Sequence, residues 1–121
     1  MIQTCTWPDR RVICTIGDGS LMYTVQALWT AARYHIPVTV LVVDNRAYEI
    51  LKSGMATYKG RTVRPDRLVG MDLDAPPIDI PAVARGFGVA ARLVSEPDEL
   101  REALAHCSAE PQVIDVLVRE G

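Results

Sequence analysis

The feature that most constrains the fold is a pair of apolar runs, each of which ends beside an oxygen-bearing side chain. The first run, 12–16, lies in a strand predicted over 11–16, and the second covers 38–43; they are followed by Asp18 and Asn45. The stretch between them, 21–34, repeats its apolar residues at helical spacing. A strand–helix–strand order predicts two parallel strands. We therefore expect Asp18 and Asn45 at the same carboxyl edge of a sheet, where open α/β folds bind ligands.

The rest of the chain continues the alternation of strands and helices. Asp79 is expected to cap a helix, and Ser95 begins a near capping box with Asp98 in place of the usual Glu. Residues 89–94 and 113–118 are predicted to form two more strands. The predicted fold class is α/β, with an open parallel sheet and helices on both faces.

Local signals predict the boundaries of the other elements. Ser20 is a suitable N-cap for a single helix over 21–34. A short helix is predicted at 47–52. The following residues, 53–77, contain several Gly and Pro and no sustained period. A stretch of that length in a small domain is expected to be a functional lid or a mobile loop.

Length and charge exclude several classes of function. The chain has 121 residues, of which 49% are hydrophobic and 23% charged, as expected for one globular domain. A net charge of −2 gives no basis for binding nucleic acid or an anionic membrane. The longest apolar run, 36–43, is too short to span a bilayer.

The cysteines predict a reducing compartment. There are three of them, Cys5, Cys14 and Cys107, and they form neither a CxxC motif nor a metal-ligand spacing. An odd number without a signal peptide favours the cytoplasm. We expect Cys14 inside a buried strand and Cys107 on the apolar face of a helix, both as small buried hydrophobes.

The residues at the predicted edge suit a magnesium ion. A carboxylate, an amide oxygen and backbone carbonyls are hard oxygen ligands, and Mg²⁺ commonly shares its coordination shell with phosphate. Gly17 and Gly19 flank Asp18 and allow a sharp turn with close backbone approach to a ligand. A plain capped turn is the alternative interpretation for this motif.

The text GDGSLMYTVQALWTAARYHIPVTVLVVDNRAYEIL carries a family resemblance. It resembles the cofactor-binding domain of thiamine diphosphate (ThDP) enzymes of the benzoylformate decarboxylase and acetolactate synthase group. The resemblance runs from about Pro8 to Val118 and rests on GDGS followed by DNxxY at the family's distance. Residues 1–121 would then be the diphosphate-side, C-terminal domain. The front is shorter than in the family, so the domain is expected to be incomplete at its N-terminal end.

The resemblance implies a set of site residues and two cofactors, ThDP and Mg²⁺. The metal ligands would be the Asp18 carboxylate, the Asn45 side-chain oxygen and the Ala47 carbonyl. The implied cofactor-binding residues are Gly17, Asp18, Gly19, Ser20, Asn45, Ala47, Tyr48 and Ile50. The chain departs from the family at Asp44, which replaces the first Asn of the usual pair and adds a negative charge. The two histidines, His35 and His106, are expected at helix ends as structural residues.

By this resemblance the chain is part of a 2-oxo acid decarboxylase or an acetolactate synthase-like enzyme. The activating glutamate would come from a separate pyrimidine-binding domain or subunit, so a homo- or hetero-oligomer is implied and the isolated chain is expected to be inactive. Two alternatives remain open. One is a subunit of a split enzyme such as a sulfopyruvate or phosphonopyruvate decarboxylase, and the other is a non-catalytic remnant.

Overall fold

The computed structural model describes residues 9–57, 70–106 and 108–118, with the side chains of residues 49, 50 and 56 excepted. Within these ranges strands and helices alternate along the chain. In order they are β1 Val12–Gly17, α1 Asp18–Tyr23, α2 Ala27–Arg33, β2 Val38–Asp44, α3 Glu49–Thr57, α4 Ile80–Gly86, β3 Ala90–Val94, α5 Pro97–Ala105 and β4 Gln112–Leu117.

The four strands form one parallel sheet in the order β1-β2-β4-β3. Gly17 at the end of β1 is level with Val43, and Asp44 at the end of β2 is level with Leu117. The carboxyl ends of β1, β2 and β4 therefore lie along one edge of the sheet. The predicted α/β class with a parallel sheet is confirmed, and the four strands begin and end within a residue of their predicted positions.

Each face of the sheet has its own apolar core. On one face the alternate residues of β2, such as Val40 and Val42, pack with Leu28 of α2 and Ile80 of α4. On the other face a smaller cluster joins Val94, Ala103 and Ile114 beneath α5. Helices thus cover both faces, as the sequence predicts.

The expectation that β1 is a buried strand is wrong for much of its length. Ile13 is 45% exposed, Thr15 is exposed, and Cys14 is an exposed free cysteine. Within the described residues β1 is an edge strand, and the apolar cluster beneath α5 includes residues of β2, β3 and β4 but none of β1. Apolarity predicted a strand correctly, but it could not show which strand is central. Cys107 lies outside the described residues.

The helix predicted over 21–34 is two helices. It begins earlier, at Asp18, with Gly17 as the N-cap, so Ser20 lies inside α1 and does not cap it. A turn separates α1 from α2, in which Thr24 accepts a hydrogen bond from the Ala27 amide at 2.9 Å. Bonds of this i→i+3 type are tighter than those of an α-helix and interrupt it.

Three other predicted boundaries can be compared with the structure. Asp79 caps α4 as predicted, accepting a hydrogen bond from the Ala82 amide at 3.0 Å. The capping box of α5 is formed by Glu96 and Glu99, so the pairing with Asp98 is wrong by one residue. The helix predicted at 47–52 is α3, which continues through Thr57, so the loop predicted from residue 53 begins later. Much of that loop lies outside the described residues.

No helix of the described ranges is both long and apolar enough to cross a membrane.

The end of α4 predicts a measurable glycine requirement. The Val89 amide donates to Ala84 and the Gly88 amide to Arg85, at 3.0 and 2.9 Å, which is a Schellman motif. Gly88 has a φ of +82°, and a Cβ there would lie 3.7 Å from that of Ala32, which leaves enough room. Gly88→Ala is therefore expected to lower the free energy of unfolding by about 1–2 kcal/mol through backbone strain alone.

Urea unfolding followed by circular dichroism measures this loss. Gly86→Ala is the matched control, because a Cβ at Gly86 meets nothing within 4 Å and its φ is not positive. That control is expected to be neutral or stabilising by up to about 1 kcal/mol. Equal effects of the two substitutions would contradict the assigned backbone conformation.

Candidate functional site

The carboxyl edge of β1 and β2 brings together the residues that the sequence singled out. A cavity of about 250 Å³ opens there. It is lined by Gly17, Asp18, Gly19, Ser20, Val43, Asn45, Ala47 and Tyr48. All the predicted cofactor-binding residues except Ile50 are in this set, and the side chain of Ile50 lies outside the described part of the chain.

Gly19 packs directly against the ring of Tyr48. A Cβ placed on Gly19 would lie 2.6 Å from Cδ1 of Tyr48 and closer still to Cε1. Tyr48 also contacts the ring of Tyr23, with centroids 6.5 Å apart. The glycine therefore lets the aromatic side chain close one wall of the cavity, which gives Tyr48 a packing role beside any contact with a ligand.

Two consecutive side-chain turns shape the loop after β2. Asp44 Oδ1 accepts a hydrogen bond from the Arg46 amide at 3.0 Å, and Asn45 Oδ1 accepts one from the Ala47 amide at 3.2 Å. Arg46 has a φ of +56°, which is unfavourable for a residue with a side chain. Asp and Asn favour turns of this kind because their side chains replace missing backbone partners. Asp44 thus makes the turn contact that an Asn could also make.

A neighbouring segment holds this loop in place. The Tyr48 amide donates to Met71 at 2.8 Å, and the Leu73 amide donates to Arg46 at 2.7 Å. The carbonyls of Arg46 and Tyr48 both accept backbone hydrogen bonds, whereas that of Ala47 accepts none from the described residues. The carbonyl predicted as a metal ligand is therefore available for one.

Asp18 is buried at the mouth of this cavity, with 4% of its surface exposed. Burial raises the pKa of its carboxyl, and the neighbouring Asp44 carboxyl raises it further. The backbone amides of Gly19 and Arg46 donate toward Asp18 and lower the pKa in part. An acid held in this way gains from a nearby cation, which would favour its ionised form.

Sequence reasoning missed Asp115, which lies in β4. It is 2% exposed, and its Oδ1 atom has no hydrogen-bond partner. Burial raises its pKa to about 7, with further contributions from the charges of Asp44, Asp18 and Asp79 and an opposing one from Arg46. A signal was present, because Asp115 is the one charged residue within the apolar run 113–118.

A second, more polar cavity of about 520 Å³ lies on the other side of the same loop. Asn45 and Ala47 line both cavities, and Arg46 and Lys52 line the second. Lys52 forms an ion pair with Asp72 at 2.5 Å. This ion pair connects α3 to the segment that holds the loop.

The histidines are away from the cavity residues. His35 follows α2 with a φ of +51°, and its Nδ1 atom lies 2.9 Å from Glu110 Oε2. His106 is the C-cap residue of α5. Neither lines either cavity, in agreement with the structural interpretation.

The donor set fits a hard cation shared with a phosphate-bearing ligand. In the part of the chain that the structure describes, no three His, Cys, Asp or Glu side chains converge as a metal-binding group. A cation here would therefore need amide and carbonyl oxygens in addition to one carboxylate. Asp18, Asn45 and Ala47 provide such a set around one cavity, and it leaves coordination positions for ligand oxygens.

Comparison with known proteins shows the family to which the chain is similar. Residues 2–116 match the family described as "Thiamine pyrophosphate enzyme, C-terminal TPP binding domain". The chain is 40% identical over 92% of its length to the acetolactate synthase large subunit-like protein IlvX of Mycobacterium tuberculosis. It is 39% identical over 90% of its length to benzoylformate decarboxylase of Pseudomonas aeruginosa. The ThDP-dependent 4-hydroxybenzoylformate decarboxylase of Rhodococcus jostii RHA1 superposes on 98% of the chain with a TM-score of 0.82 and 32% identity.

The chain belongs to the family of C-terminal cofactor-binding domains of ThDP enzymes. Members of this family use thiamine diphosphate with Mg²⁺ and act as oligomers with further domains. The chain spans 22% and 20% of the two curated relatives and 21% of the solved structure. It therefore corresponds to about a fifth of each of these proteins.

Asp115 predicts an unusual dependence of stability on pH. Its pKa in the folded chain, about 7, is above the ordinary value of 3.8 expected after unfolding. Folding therefore takes up a proton, and the resulting stabilisation is complete below pH 3.8 and lost as the pH rises to 7. Asp115→Asn removes this loss, so the variant is expected to be more stable than the parent chain at pH 8, by at most about 4 kcal/mol.

Urea unfolding of both proteins at pH 5 and pH 8 measures the difference. The advantage of the variant is expected to shrink at pH 5, where most Asp115 carboxyls of the folded chain are already neutral. If the variant's gain in free energy of unfolding were the same at both pH values, the gain would come from packing, and the assigned ionisation would be contradicted.

Proposed function

We propose that this chain is the ThDP- and Mg²⁺-binding part of a 2-oxo acid decarboxylase or an acetolactate synthase-like enzyme. The observation that carries the proposal is the cavity that the GDGS turn and the loop after β2 line together at the carboxyl edge of β1 and β2. There a buried carboxylate, Asp18, lies with Asn45 and the Ala47 carbonyl, which accepts no backbone hydrogen bond from the described part of the chain. The benzoylformate decarboxylase and acetolactate synthase names of the relatives support the reaction class.

In this proposal the Asp18, Asn45 and Ala47 oxygens would hold Mg²⁺, and they would leave coordination positions for diphosphate and water. Gly17 and Gly19 let the diphosphate approach the backbone closely, and Tyr48 closes the wall beside it. Asn45 Oδ1 can bind the cation while keeping its hydrogen bond to the Ala47 amide, because an amide oxygen has two lone pairs.

The substitution at Asp44 fits this arrangement. Its Oδ1 atom is occupied by the Arg46 amide and the residue is 5% exposed, so it shapes the turn and is not itself one of the three proposed ligands. Asp44 does add negative charge beside Asp18. We therefore expect it to weaken binding of the free diphosphate and to increase the need for the cation.

When bound, the cofactor supplies the electron sink for cleaving or forming a carbon–carbon bond beside a carbonyl. The residues of this chain bind and orient its diphosphate end. Activation of the cofactor requires a glutamate beside its aminopyrimidine ring. The family resemblance implies that another domain supplies this glutamate. The substrate is proposed to be a small 2-oxo acid, and the oligomer would bring the pyrimidine-binding domain or subunit to this edge.

Asp18→Ala is expected to abolish Mg²⁺-dependent ThDP binding. Loss of the one carboxylate ligand leaves the diphosphate charge uncompensated, so the apparent affinity is expected to fall at least about 100-fold, as for the loss of a hard ligand from an octahedral site. Calorimetric titration with ThDP, with and without Mg²⁺, measures the change, and circular dichroism checks the fold.

Two controls separate ligand loss from charge loss. Asp98→Ala removes one negative charge from the exposed surface of α5 and is expected to bind normally. Asp44→Asn restores the family pair and is expected to bind as tightly or more tightly. Unchanged binding by Asp18→Ala would disprove the metal assignment, and a large loss for Asp44→Asn would transfer that role to Asp44. If the parent chain bound no ThDP, the remnant alternative would be favoured.

The purified 121-residue chain, supplied with ThDP and Mg²⁺, is expected to show no decarboxylation of 2-oxo acids. Positioned acid–base help is required at the aminopyrimidine. Glu49 begins α3 just after the proposed diphosphate-binding loop, so it is not expected to reach that ring. Carbon dioxide release from pyruvate and benzoylformate measures activity. Turnover by a sample shown to be monomeric would contradict the need for a second domain.

A further inference from the structure

Four carboxylates from four elements form a group in which the charges of Asp18, Asp44 and Asp79 all act on Asp115. Asp18 begins α1, Asp44 ends β2, Asp79 caps α4 and Asp115 lies within β4. Asp18, Asp44 and Asp115 are 4%, 5% and 2% exposed. Arg46 contributes the opposing positive charge that acts on Asp115. Negative charges buried this closely repel, so the cluster is more stable when one of its members is neutral.

Hydrogen bonding distinguishes Asp115 from the other three. Asp44 Oδ1 and Asp79 Oδ1 each accept a backbone amide at 3.0 Å, and amides of Gly19 and Arg46 donate toward Asp18. Asp115 Oδ1 has no partner. Because Asp115 Oδ1 lacks the donors that favour the ionised forms of the other three carboxylates, Asp115 is the member of the group on which a proton is most favoured.

The surroundings of Asp115 reinforce this assignment. Its register neighbours are Val42 on β2 and Leu93 on β3, neither of which can carry charge or donate a side-chain hydrogen bond. The charged groups that face it are Asp44, Asp18, Asp79 and Arg46, and their combined effect opposes ionisation. The charge of Asp18 contributes to the raised pKa of Asp115, and Asp115 Oδ1 makes no hydrogen bond to Asp18.

We propose that Asp115 carries the proton that stabilises this carboxylate cluster before a divalent cation binds, and that it releases this proton when Mg²⁺ and ThDP bind at Asp18 and Asn45. The inference rests on the proposed function. The step balances as one O–H bond broken at Asp115 and one proton transferred to solvent, with no change of oxidation state. Asp115 is a positioning residue here, since it touches neither metal nor cofactor.

The sign of the linkage follows from the charges. A cation at Asp18 offsets the repulsion that keeps Asp115 neutral, so bound Mg²⁺ lowers its pKa and favours the carboxylate. Binding then releases protons, and the affinity increases as the pH rises through the neutral range. The cation would bind more weakly in acid, and the residue responsible for this pH dependence would not itself contact the cation.

Calorimetric titration of ThDP with saturating Mg²⁺ at pH 7, in two buffers of different ionisation enthalpy, counts the released protons. The parent chain is expected to release about half a proton more than Asp115→Asn, because Asp115 is about half protonated there. Subtracting the variant removes protons that come from the ligand itself. Asp98→Asn, a matched loss of charge on the exposed surface, is expected to match the parent.

The pH profile gives a second measurement. Between pH 6 and pH 8 the affinity of the parent is expected to rise up to about tenfold more than that of Asp115→Asn. Carboxyl ¹³C chemical shifts of the parent chain, which need no variant, are expected to show the Asp115 midpoint falling when Mg²⁺ and ThDP are added.

The outcomes are distinguishable. Intact binding with equal proton release by parent and Asp115→Asn, or an Asp115 midpoint that does not move, overturns the proton inference alone. Absence of Mg²⁺-dependent ThDP binding by the parent overturns the proposed function and the inference with it. If Asp115→Asn releases fewer protons on binding than the parent chain, and Asp98→Asn releases as many as the parent, both the proposed function and the inference are supported.

Discussion

The register of the parallel sheet is the constraint on which the site depends. β1 and β2 pair without offset from Val12 with Val38 to Gly17 with Val43, so both strands end at the same level. β4 continues alongside, and the Val118 amide donates to the Asp44 carbonyl at 2.9 Å just beyond its paired residues. If β2 or β4 shifted its register by one residue, the side chain of Asp44 or Asp115, respectively, would turn to the opposite face of the sheet, away from Asp18.

The same register concentrates buried negative charge at the edge. Burying a carboxylate is unfavourable unless it is paired or neutralised. The chain tolerates Asp18 and Asp44 because backbone amides donate to both. Asp115 has no such donor at Oδ1, and its raised pKa is the result. The buried carboxylates thus lower the folding stability at a site where a bound cation would offset their repulsion. Local strain of this kind is common at functional sites.

The sequence predicted the fold and the cavity well because both depend on short-range patterns. Apolar runs and turn residues locate β1, β2 and the GDGS turn, and the alternation of elements requires parallel strands. Exposure of Cys14 could not be predicted, because burial depends on which strand lies at the edge and on how far the covering helix extends. The break at Thr24 depends on tertiary packing, since helical periodicity continues across it.

Asp115 shows why the electrostatics of the site needed the structure. In the sequence it is one acid in an apolar run, far along the chain from Asp18, and only the strand order brings β4 beside β2. Once they are adjacent, the two acids compete for one proton. Backbone amides favour the ionised form of Asp18, and nothing equivalent acts on Asp115 Oδ1. The proposed proton on Asp115 reduces the negative charge around Asp18, whose own pKa is raised by burial and by Asp44. A neutral acid in the strand would then favour the ionised form of the acid at the turn, which is the form that binds a cation.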